Sequence, residues 1–418
     1  MKILVIGGGG REHALVWALQ KSARVTEIVC APGNGGIAAL ARCVAVSVED
    51  VGQVLELVGR EAPGLVVVGP EVPLAAGVVD ALVAAGVKVF GPTRAAAQLE
   101  SSKWFAKDFM GRWGIPTAAY VVCKSAAEVG AKLAGFGARV VVKADGLAAG
   151  KGVVLCESHG EARAAAAEMF RGSLGVAVDK VVLEEMLEGP EVSYFAVCDG
   201  ERAVTLGFAQ DHKRIGEGDT GPNTGGMGAY STDELVPAET AAWMLESVAQ
   251  RVVDGMKTEG SSFQGVLFTG FMMTAEGPKV LEFNTRFGDP ETEAVMLRLE
   301  TDLCDLLEAA VEGRVGEAPV VLKAGASACV IAASGGYPGK YEVGKVIAGL
   351  DRVPAGVEVF HAGTALKDGE YVTAGGRVLA VSAVGGDLGE ALGKVYGAME
   401  GLGFEGMVFR GDIGWRAL

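Results

Sequence analysis

The chain has 418 residues, half of them hydrophobic, and a formal net charge of −15. At about 150 residues per domain this length predicts roughly two to four domains, and the acidic balance argues against general nucleic-acid binding while local basic pockets stay open. No apolar run approaches the ~18 residues of a membrane span, and the start, MKILVIGGGGREHA, has the pattern of a strand rather than of a signal peptide. Seven scattered cysteines without C-x-x-C pairs predict a reduced, cytoplasmic protein with neither a disulfide framework nor a zinc site.

Strands alternate with helices over residues 1–100, which predicts a doubly wound domain with a parallel sheet. Ligands bind at the carboxyl ends of such strands. The residues expected to gather there are Gly9, Arg11, Asn34 and Glu71. A dinucleotide site is not favoured, because Glu12 takes the place of the third glycine in G-x-G-x-x-G. The helix start beside Arg11 is instead expected to bind an anion, and a solvated first-turn arginine is the alternative.

A strand that carries Lys143 leads into a glycine-rich turn in the segment VVKADGLAAGKGVV. Gly146, Gly150 and Gly152 would let the backbone approach a polyanion, and Lys151 adds a second positive charge. The segment is not a P-loop, because three residues rather than four separate its first two glycines and a glycine follows the lysine. It is therefore expected to hold nucleotide phosphates, and a surface hairpin with solvated lysines is the alternative.

A second polar segment, VLEFNTRFGDPE, places Glu282 and Asn284 two residues apart on a strand and so on one face of it. A carboxylate and an amide oxygen suit a hard divalent cation, typically Mg²⁺ that arrives with nucleotide phosphates. Arg286 can neutralise charge on a phosphoryl group during transfer. Asp289 is expected to cap the next helix, with Pro290 as its first residue.

The stretch after the strand at 203–210 is long, polar and rich in glycine, which is typical of a functional loop. It contains DHKR at 211–214 and GPNTGGMG at 221–228. His212 taken by itself is expected to lie at the surface, and a base or a phosphate contact are the alternatives. Another strand ends near Glu184 in VVLEEMLEGPEVS. Its backbone could serve adenine, or it could be an ordinary acidic edge strand.

Eight motifs follow one another from end to end of the chain. They are GGREHA, APGN, VGPE, KADGLAAGKG, AQDHKR, DTGPNTGGMGAYS, EFNTRFGDPE and the terminal DIGWRA. In this order they resemble the phosphoribosylamine–glycine ligase family of the ATP-grasp superfamily. Two positions depart from the family pattern: Gly8, where asparagine is expected, and Thr285, where cysteine is common. Neither position is expected to change the reaction.

The resemblance implies an α/β and α+β multidomain fold. Residues 1–100 would be a parallel α/β N-terminal domain that binds substrate, 101–324 a two-lobed ATP-grasp core with a small mobile lobe at about 118–187, and 325–418 a β-rich C-terminal domain. The implied reaction ligates glycine to 5-phosphoribosylamine through glycyl phosphate and gives glycinamide ribonucleotide, ADP and phosphate, an early step of purine synthesis. It requires no nucleic acid, membrane or obligate protein partner. Another ATP-grasp carboxylate–amine ligase or carboxylase, a nicotinamide-dependent dehydrogenase and a non-catalytic nucleotide sensor are the alternatives.

The family's functional residues map onto this chain motif by motif. The implied ATP contacts are Lys103, Lys143, Gly150, Lys151, Gly152, Glu184, Leu187 and Glu191. The implied substrate contacts are Gly9, Gly10, Arg11, Asn34, Glu71, Asn223 and Gly225. The implied catalytic residues are Arg286, Asp211 and Lys213. The implied ligands of Mg²⁺ or Mn²⁺ are Glu282 and Asn284.

Overall fold

The computed structural model describes residues 1–147, 152–172 and 178–418. Gly150 and Lys151, two of the expected phosphate contacts, lie outside the described residues. Within the described ranges, every helix is too short or too polar to pass through a lipid bilayer. All seven cysteines are described, and each has a free thiol.

The N-terminal hundred residues form the parallel α/β unit that the sequence predicts. Their elements are β1 (Lys2–Gly7), α1 (Gly10–Leu19), β2 (Glu27–Pro32), β3 (Arg42–Cys43), α2 (Val51–Glu61), β4 (Leu65–Val68), α3 (Glu71–Ala76), α4 (Val78–Ala84) and β5 (Val89–Phe90). The five strands pair in parallel in the order β3-β2-β1-β4-β5. Successive residues of β1 enter different cores, Ile3 and Val5 on one face and Leu4 and Ile6 on the other, because side chains alternate along a strand. Both faces are thus covered, as parallel sheets require.

A small antiparallel sheet follows. The elements of this part are α5 (Gln98–Ser101), α6 (Lys103–Arg112), β6 (Tyr120–Cys123), α7 (Ala126–Lys132), β7 (Val140–Ala144), β8 (Val153–Cys156), α8 (His159–Arg171) and β9 (Val181–Glu185). The strand order is β6-β9-β7-β8. Val129 of α7 and Ala162 and Ala166 of α8 pack against the buried residues of β7. Together they form a hydrophobic core that belongs to this small sheet alone. Lys143 on β7 and Glu184 on β9 therefore lie on neighbouring strands of this sheet.

The rest of the chain builds one large antiparallel sheet. Its elements are β10 (Glu191–Asp199), β11 (Ala203–Asp211), β12 (Arg214–Gly216), β13 (Thr220–Asn223), β14 (Gly228–Thr232), α9 (Ala238–Met244), α10 (Gln250–Thr258), β15 (Gln264–Thr274), β16 (Gly277–Asn284), α11 (Glu291–Arg298), α12 (Leu303–Val311), β17 (Ala326–Ser334), β18 (Val357–His361), β19 (Thr364–Lys367), β20 (Glu370–Thr373), β21 (Arg377–Gly385), α13 (Leu388–Met399) and β22 (Met407–Val408). The strand order is β16-β15-β10-β11-β14-β17-β21-β18, with β22 beside β17. The β14–β17 pairing joins segments on the two sides of residue 325. Two short ribbons, β12–β13 and β19–β20, stand apart from this sheet.

The expectation that Asp289 caps a helix beginning at Pro290 is wrong. Pro290 is itself the N-cap, and α11 begins at Glu291. The Asp289 carboxylate is engaged elsewhere: it pairs with Arg377 at 3.1 Å and accepts the backbone N–H of Arg11 at 3.3 Å. These partners come from distant parts of the chain, so local sequence could not reveal that they displace the cap.

Three of the four histidines, His13, His212 and His361, are buried. Burial lowers the pKa of His13 to about 3 and those of His212 and His361 to about 4. The expectation that His212 lies at the surface is wrong: its side chain is fully buried, and its Nε2 accepts the backbone N–H of Gly414 at 3.1 Å. A contact with the far end of the chain thus decides its position.

We expect the protein to lose stability as the pH falls below about 6.5, because each buried imidazole takes up a proton only after unfolding. A lowered folded-state pKa means that the unfolded chain binds more protons, so the free energy of unfolding falls by up to ~1.4 kcal/mol per pH unit and per histidine between the two pKa values. Urea unfolding between pH 7.5 and pH 5 measures this slope. His212→Asn should make the slope shallower, whereas His159→Asn, which changes the half-buried fourth histidine, should leave it unchanged. Equal slopes in all three proteins would contradict the explanation.

Candidate nucleotide and substrate site

Glu282 lies on β16 within electrostatic reach of four cationic side chains. Burial by itself would raise the pKa of this carboxyl, but Lys213, Lys103, Lys143 and Arg286 outweigh burial and lower the pKa to about 2. The carboxylate is therefore ionised at neutral pH. Clustered lysine and arginine side chains of this kind can bind the oxygens of a polyphosphate.

Asn284, the second expected metal ligand, follows Glu282 on the same strand and is largely buried. Its Oδ1 accepts a hydrogen bond from Arg286 at 3.1 Å. No cluster of three or more His, Cys, Asp and Glu side chains suited to a metal occurs in the described parts of the chain. A divalent ion at Glu282 and Asn284 would thus complete its coordination with phosphate and water oxygens, which is the usual mode for Mg²⁺. The hard oxygen donors fit that ion.

Two lysines meet one buried carboxylate between α6 and the small sheet. Lys107 of α6 and Lys143 of β7 lie 2.8 and 3.0 Å from the same oxygen, Oε2 of Glu184. Lys107 also donates to Thr117 at 2.7 Å, and burial lowers its pKa to about 8 although Glu184 opposes this shift. The other oxygen of Glu184, Oε1, is buried without a partner among the described residues. Such an unsatisfied acceptor suits a donor group on a ligand.

The start of α6 lies against the turn that follows β7. Ser102 caps α6 and donates its hydroxyl to Asp145 at 2.9 Å, and Lys103 Nζ donates to the carbonyl of Gly146 at 3.4 Å. Gly152, on the far side of the turn, is buried and accepts the N–H of Ala144 at 2.8 Å. Lys103, Lys143 and Gly152 are therefore neighbours in space.

Leu187 and Glu191 lie in and after the connection that leaves β9. Leu187 is partly buried, and its backbone N–H has no partner in the described part of the chain. A free N–H at a strand end can bind a planar base. Glu191 begins β10 and pairs with Lys213 at 2.6 Å. The expected adenine and ribose contacts thus border the cation group.

Arg286, which follows β16, connects that strand with the N-terminal domain. Its guanidinium lies 3.1 Å from Oε1 of Glu100 and 3.4 Å from Oε2 of Glu71 at the start of α3. Glu100 also accepts the backbone N–H of Thr285 at 2.8 Å. Glu71, expected among the substrate contacts, therefore lies beside the expected catalytic arginine.

Asp211 and Lys213 flank the buried His212 at the end of β11. Burial raises the pKa of Asp211 well above its usual range, and Glu291 adds to this shift. Its Oδ1 is buried without a described partner. Burial would lower the pKa of Lys213, but Glu191, Glu282 and Asp211 outweigh it and raise the pKa. The end of β11 thus places a carboxyl group with a raised pKa beside a lysine with a raised pKa.

The loop that carries Asn223 and Gly225 is held by the C-terminal part of the chain. Arg377 of β21 donates to the carbonyls of Gly225 at 2.6 Å and of Asp289 at 2.8 Å. The hydroxyl of Tyr337 accepts the N–H of Gly225 at 2.9 Å. Asn223 is exposed at the end of β13. The loop after β13 is thus bound to the loop after β16.

The start of α1 is surrounded by acidic groups. Arg11 pairs with Glu12 at 2.5 Å and donates to the carbonyl of Phe287 at 3.1 Å, and Glu12 also accepts the N–H of Gly9 at 2.6 Å. At Gly10, an added Cβ would lie 2.4 Å from Oε1 of the buried Glu293. A phosphate at this helix start would have to displace carboxylates, so the anion-binding role of Arg11 stays a prediction.

Asn34 shapes the loops around that helix start. Its amide donates to the carbonyls of Gly8 at 3.0 Å and of His361 at 2.6 Å, and its Oδ1 accepts the N–H groups of Gly36 and Ile37. The side chain is thus engaged within the protein. Its expected contact with substrate stays a prediction.

Four residues of this region were not predicted. They are Glu100, Lys107, Glu293 and Arg377. Lys107 follows Lys103 by four residues on α6, so its position on the same helix face was available as a signal. The other three belong to no motif, and only tertiary contacts bring them here.

Family models match three consecutive parts of the chain. The N domain of phosphoribosylglycinamide synthetase matches residues 1–100, its ATP-grasp (A) domain matches 101–292, and its C domain matches 327–416. The biotin carboxylase of Campylobacter jejuni is similar in fold, with a TM-score of 0.74 at 15% identity over 98% of this chain and 92% of that chain. The protein is thus an ATP-grasp protein, a class that uses ATP.

Relatives that match the whole chain identify its family within the ATP-grasp class. The phosphoribosylamine–glycine ligase of Xanthomonas axonopodis pv. citri is 51% identical over 100% of this chain and 98% of its own length, and that of Brucella melitensis is 47% identical with the same coverage. The crystal structure of the phosphoribosylamine–glycine ligase of Thermotoga maritima has a TM-score of 0.88 at 35% identity and covers 99% of this chain and 100% of that chain. The chain belongs to the phosphoribosylamine–glycine ligase family.

Proposed function

We propose that this protein ligates glycine to 5-phosphoribosylamine in an ATP-dependent reaction that gives glycinamide ribonucleotide, ADP and phosphate, a step of purine biosynthesis. Family membership along the whole chain supports the reaction. The observation in the structure that carries the proposal is the ionised Glu282 among four cations, because this is where phosphates would bind.

The reaction needs an activated carboxylate. Glycine is a poor acyl donor because its leaving group would be oxide, whereas glycyl phosphate releases phosphate when an amine attacks. Transfer of the γ-phosphoryl group from ATP to glycine supplies that activation. The work of the protein is then to orient the reactants, to stabilise the transferred charge and to exclude water.

We assign these tasks to individual residues. Lys103, Lys143 and Lys151 would bind the phosphates, and the catalytic residues would be Arg286, Asp211 and Lys213, with Arg286 stabilising the phosphoryl group in transfer. Glu282 and Asn284 would hold Mg²⁺ or Mn²⁺, which supplies charge neutralisation on the phosphate oxygens. Glu184 and Leu187 would bind adenine and Glu191 the ribose.

The same proposal divides the chain into functional parts. Residues 1–100 would bind phosphoribosylamine, 101–324 would form the ATP-grasp core with a small mobile lobe at about 118–187, and 325–418 would form the C-terminal domain, as a lid or a structural cap. The substrates are small molecules. A cytoplasmic location agrees with the seven free thiols.

An assay of ADP release tests this proposal. We expect ADP to form only when glycine and phosphoribosylamine are both present, with glycinamide ribonucleotide as the product, because the acyl phosphate needs its amine acceptor. The panel should include other amino acids and bicarbonate, each with and without phosphoribosylamine. Turnover with bicarbonate or another acceptor, and none with the glycine pair, would make the chain a different ATP-grasp enzyme.

A further inference from the structure

The ribbon formed by β12, Glu217–Asp219 and β13 pairs with no other strand in the described sheets. It begins directly after Lys213 and ends at Asn223, and the residues of β13 are exposed. An isolated two-stranded ribbon is marginally stable in water. Some other part of the molecule must therefore hold it in one conformation.

The C-terminal segment 410–416 holds the tip of this ribbon. The Arg410 guanidinium is fully buried and donates to the carbonyl of Arg214 at 3.1 Å and to Oδ1 of Asp219 at 2.9 Å. Asp412 fixes Arg410 through two bonds of 2.7 Å and accepts the N–H of Gly218 at 2.8 Å. These contacts reach both the first strand and the turn of the ribbon.

Asp219 is the residue on which these contacts converge. Its backbone has φ +57°, in the left-handed region that residues other than glycine seldom occupy. Its two carboxylate oxygens are bound by different arginines, Oδ1 by Arg410 and Oδ2 by Arg416. Unusual backbone conformations persist where surrounding contacts hold them, and they are concentrated at functional sites.

The segment also reaches the site itself. Gly414 donates its N–H to His212, which lies between Asp211 and Lys213 in the chain. Burial lowers the pKa of Arg416 while Glu191 and Asp211 oppose the shift, so this guanidinium lies within electrostatic reach of both carboxylates. Segment 410–416 thus contacts both the tip of the ribbon and the residues that directly precede the ribbon.

We propose that residues 410–416 are a positioning element of the substrate site, which acts through Asp219 to fix the ribbon and with it Lys213 at one end and Asn223 at the other. This inference rests on the proposed function. It adds Arg410 and Arg416 to the site as positioning residues. The expected ATP contacts Lys103, Lys143 and Glu184 lie on other elements. Binding of ATP should therefore not depend on segment 410–416.

Steady-state kinetics on four variants test the proposal. They are Asp219→Asn, Arg416→Gln, the double variant of these two, and Asp368→Asn as a control. Asparagine tolerates the left-handed region, so Asp219→Asn removes the charge and keeps the backbone conformation. Asp368 is exposed between β19 and β20, has φ +53° and forms no ion pair in the described chain, so its variant makes the same chemical change without arginine partners.

We expect Asp219→Asn to raise the KM for glycine and phosphoribosylamine by about tenfold, the effect of losing about 1.4 kcal/mol of binding. The KM for ATP should change by less than about twofold. Arg416→Gln should act in the same direction, and the double variant should show less than the product of the two single effects, because both remove one interaction. Asp368→Asn should match the wild type.

Unchanged substrate constants in Asp219→Asn, or an equal rise in the constants for all three substrates, would overturn the proposal. Amide hydrogen exchange adds a readout that needs no turnover: exchange in 214–223 should become faster in Asp219→Asn and Arg416→Gln and stay slow in Asp368→Asn. A wild-type enzyme that fails to use glycine would refute the proposed function, and the exchange result would then decide the positioning role by itself.

Discussion

Glu282→Gln is expected to lower kcat by about a hundredfold or more at fixed Mg²⁺, and to raise the Mg²⁺ concentration needed for half-maximal rate. Glutamine keeps the size of the side chain and removes its charge. A divalent ion then loses its anionic protein ligand, and the four nearby cations lose one of the carboxylates that lower their mutual repulsion. Initial rates measured over a range of Mg²⁺ concentrations give both quantities.

Glu276→Gln is the matched control for this variant. Glu276 lies in the turn between β15 and β16, is exposed and pairs only with Lys279 among the described residues. Its replacement should leave rate and metal dependence unchanged, because surface ion pairs contribute little. Wild-type turnover and wild-type metal dependence in Glu282→Gln would show that Glu282 is not a metal ligand.

The second large effect concerns stability. Lys107→Met is expected to lower the free energy of unfolding by about 2–4 kcal/mol, because it leaves a buried carboxylate with one partner instead of two. Glu184 retains Lys143, so the loss should stay below that of an unpaired buried charge. The hydroxyl of Thr117 also loses its donor. Urea unfolding at pH 7 measures the change.

Lys124→Met provides the comparison, since Lys124 is exposed in the same part of the chain. Its variant should lie within about 0.5 kcal/mol of the wild type. A Lys107→Met protein as stable as the wild type would show that desolvation cancels the attraction in this ion pair. The KM for ATP, measured on the same variant, would show whether Glu184 must be held by both lysines to bind the nucleotide.

The sequence predicted those parts of the fold that depend on local pattern. The N-terminal sheet follows from alternating strands and helices, and the strand that carries Lys143 from its run of valines. The continuity of the large sheet was not predictable in this way. The pairing of Tyr230 with Ala328 joins residues almost a hundred positions apart, and no periodicity records such a partner.

In the candidate site, too, residues within a local motif could be predicted and residues placed by distant partners could not. Glu282, Asn284 and Arg286 could be selected because they share one short segment with a clear chemical pattern. Glu100 and Arg377 could not be selected, because each belongs to the site only through an ion pair with a residue far away in the chain. The misplacement of His212 and the wrong role for Asp289 have this cause as well: a distant partner, Gly414 or Arg377, determines the outcome.

The large antiparallel sheet, in which β14 pairs with β17, also affects how the chain folds during synthesis. A ribosome releases β14 well before β17, and until β17 emerges the edge of β14 has no strand to pair with on that side. An unpaired edge of this kind readily joins other chains. The nascent protein therefore depends on its last hundred residues or so to complete the sheet that begins at β10, and premature termination near residue 325 would leave a product prone to aggregate.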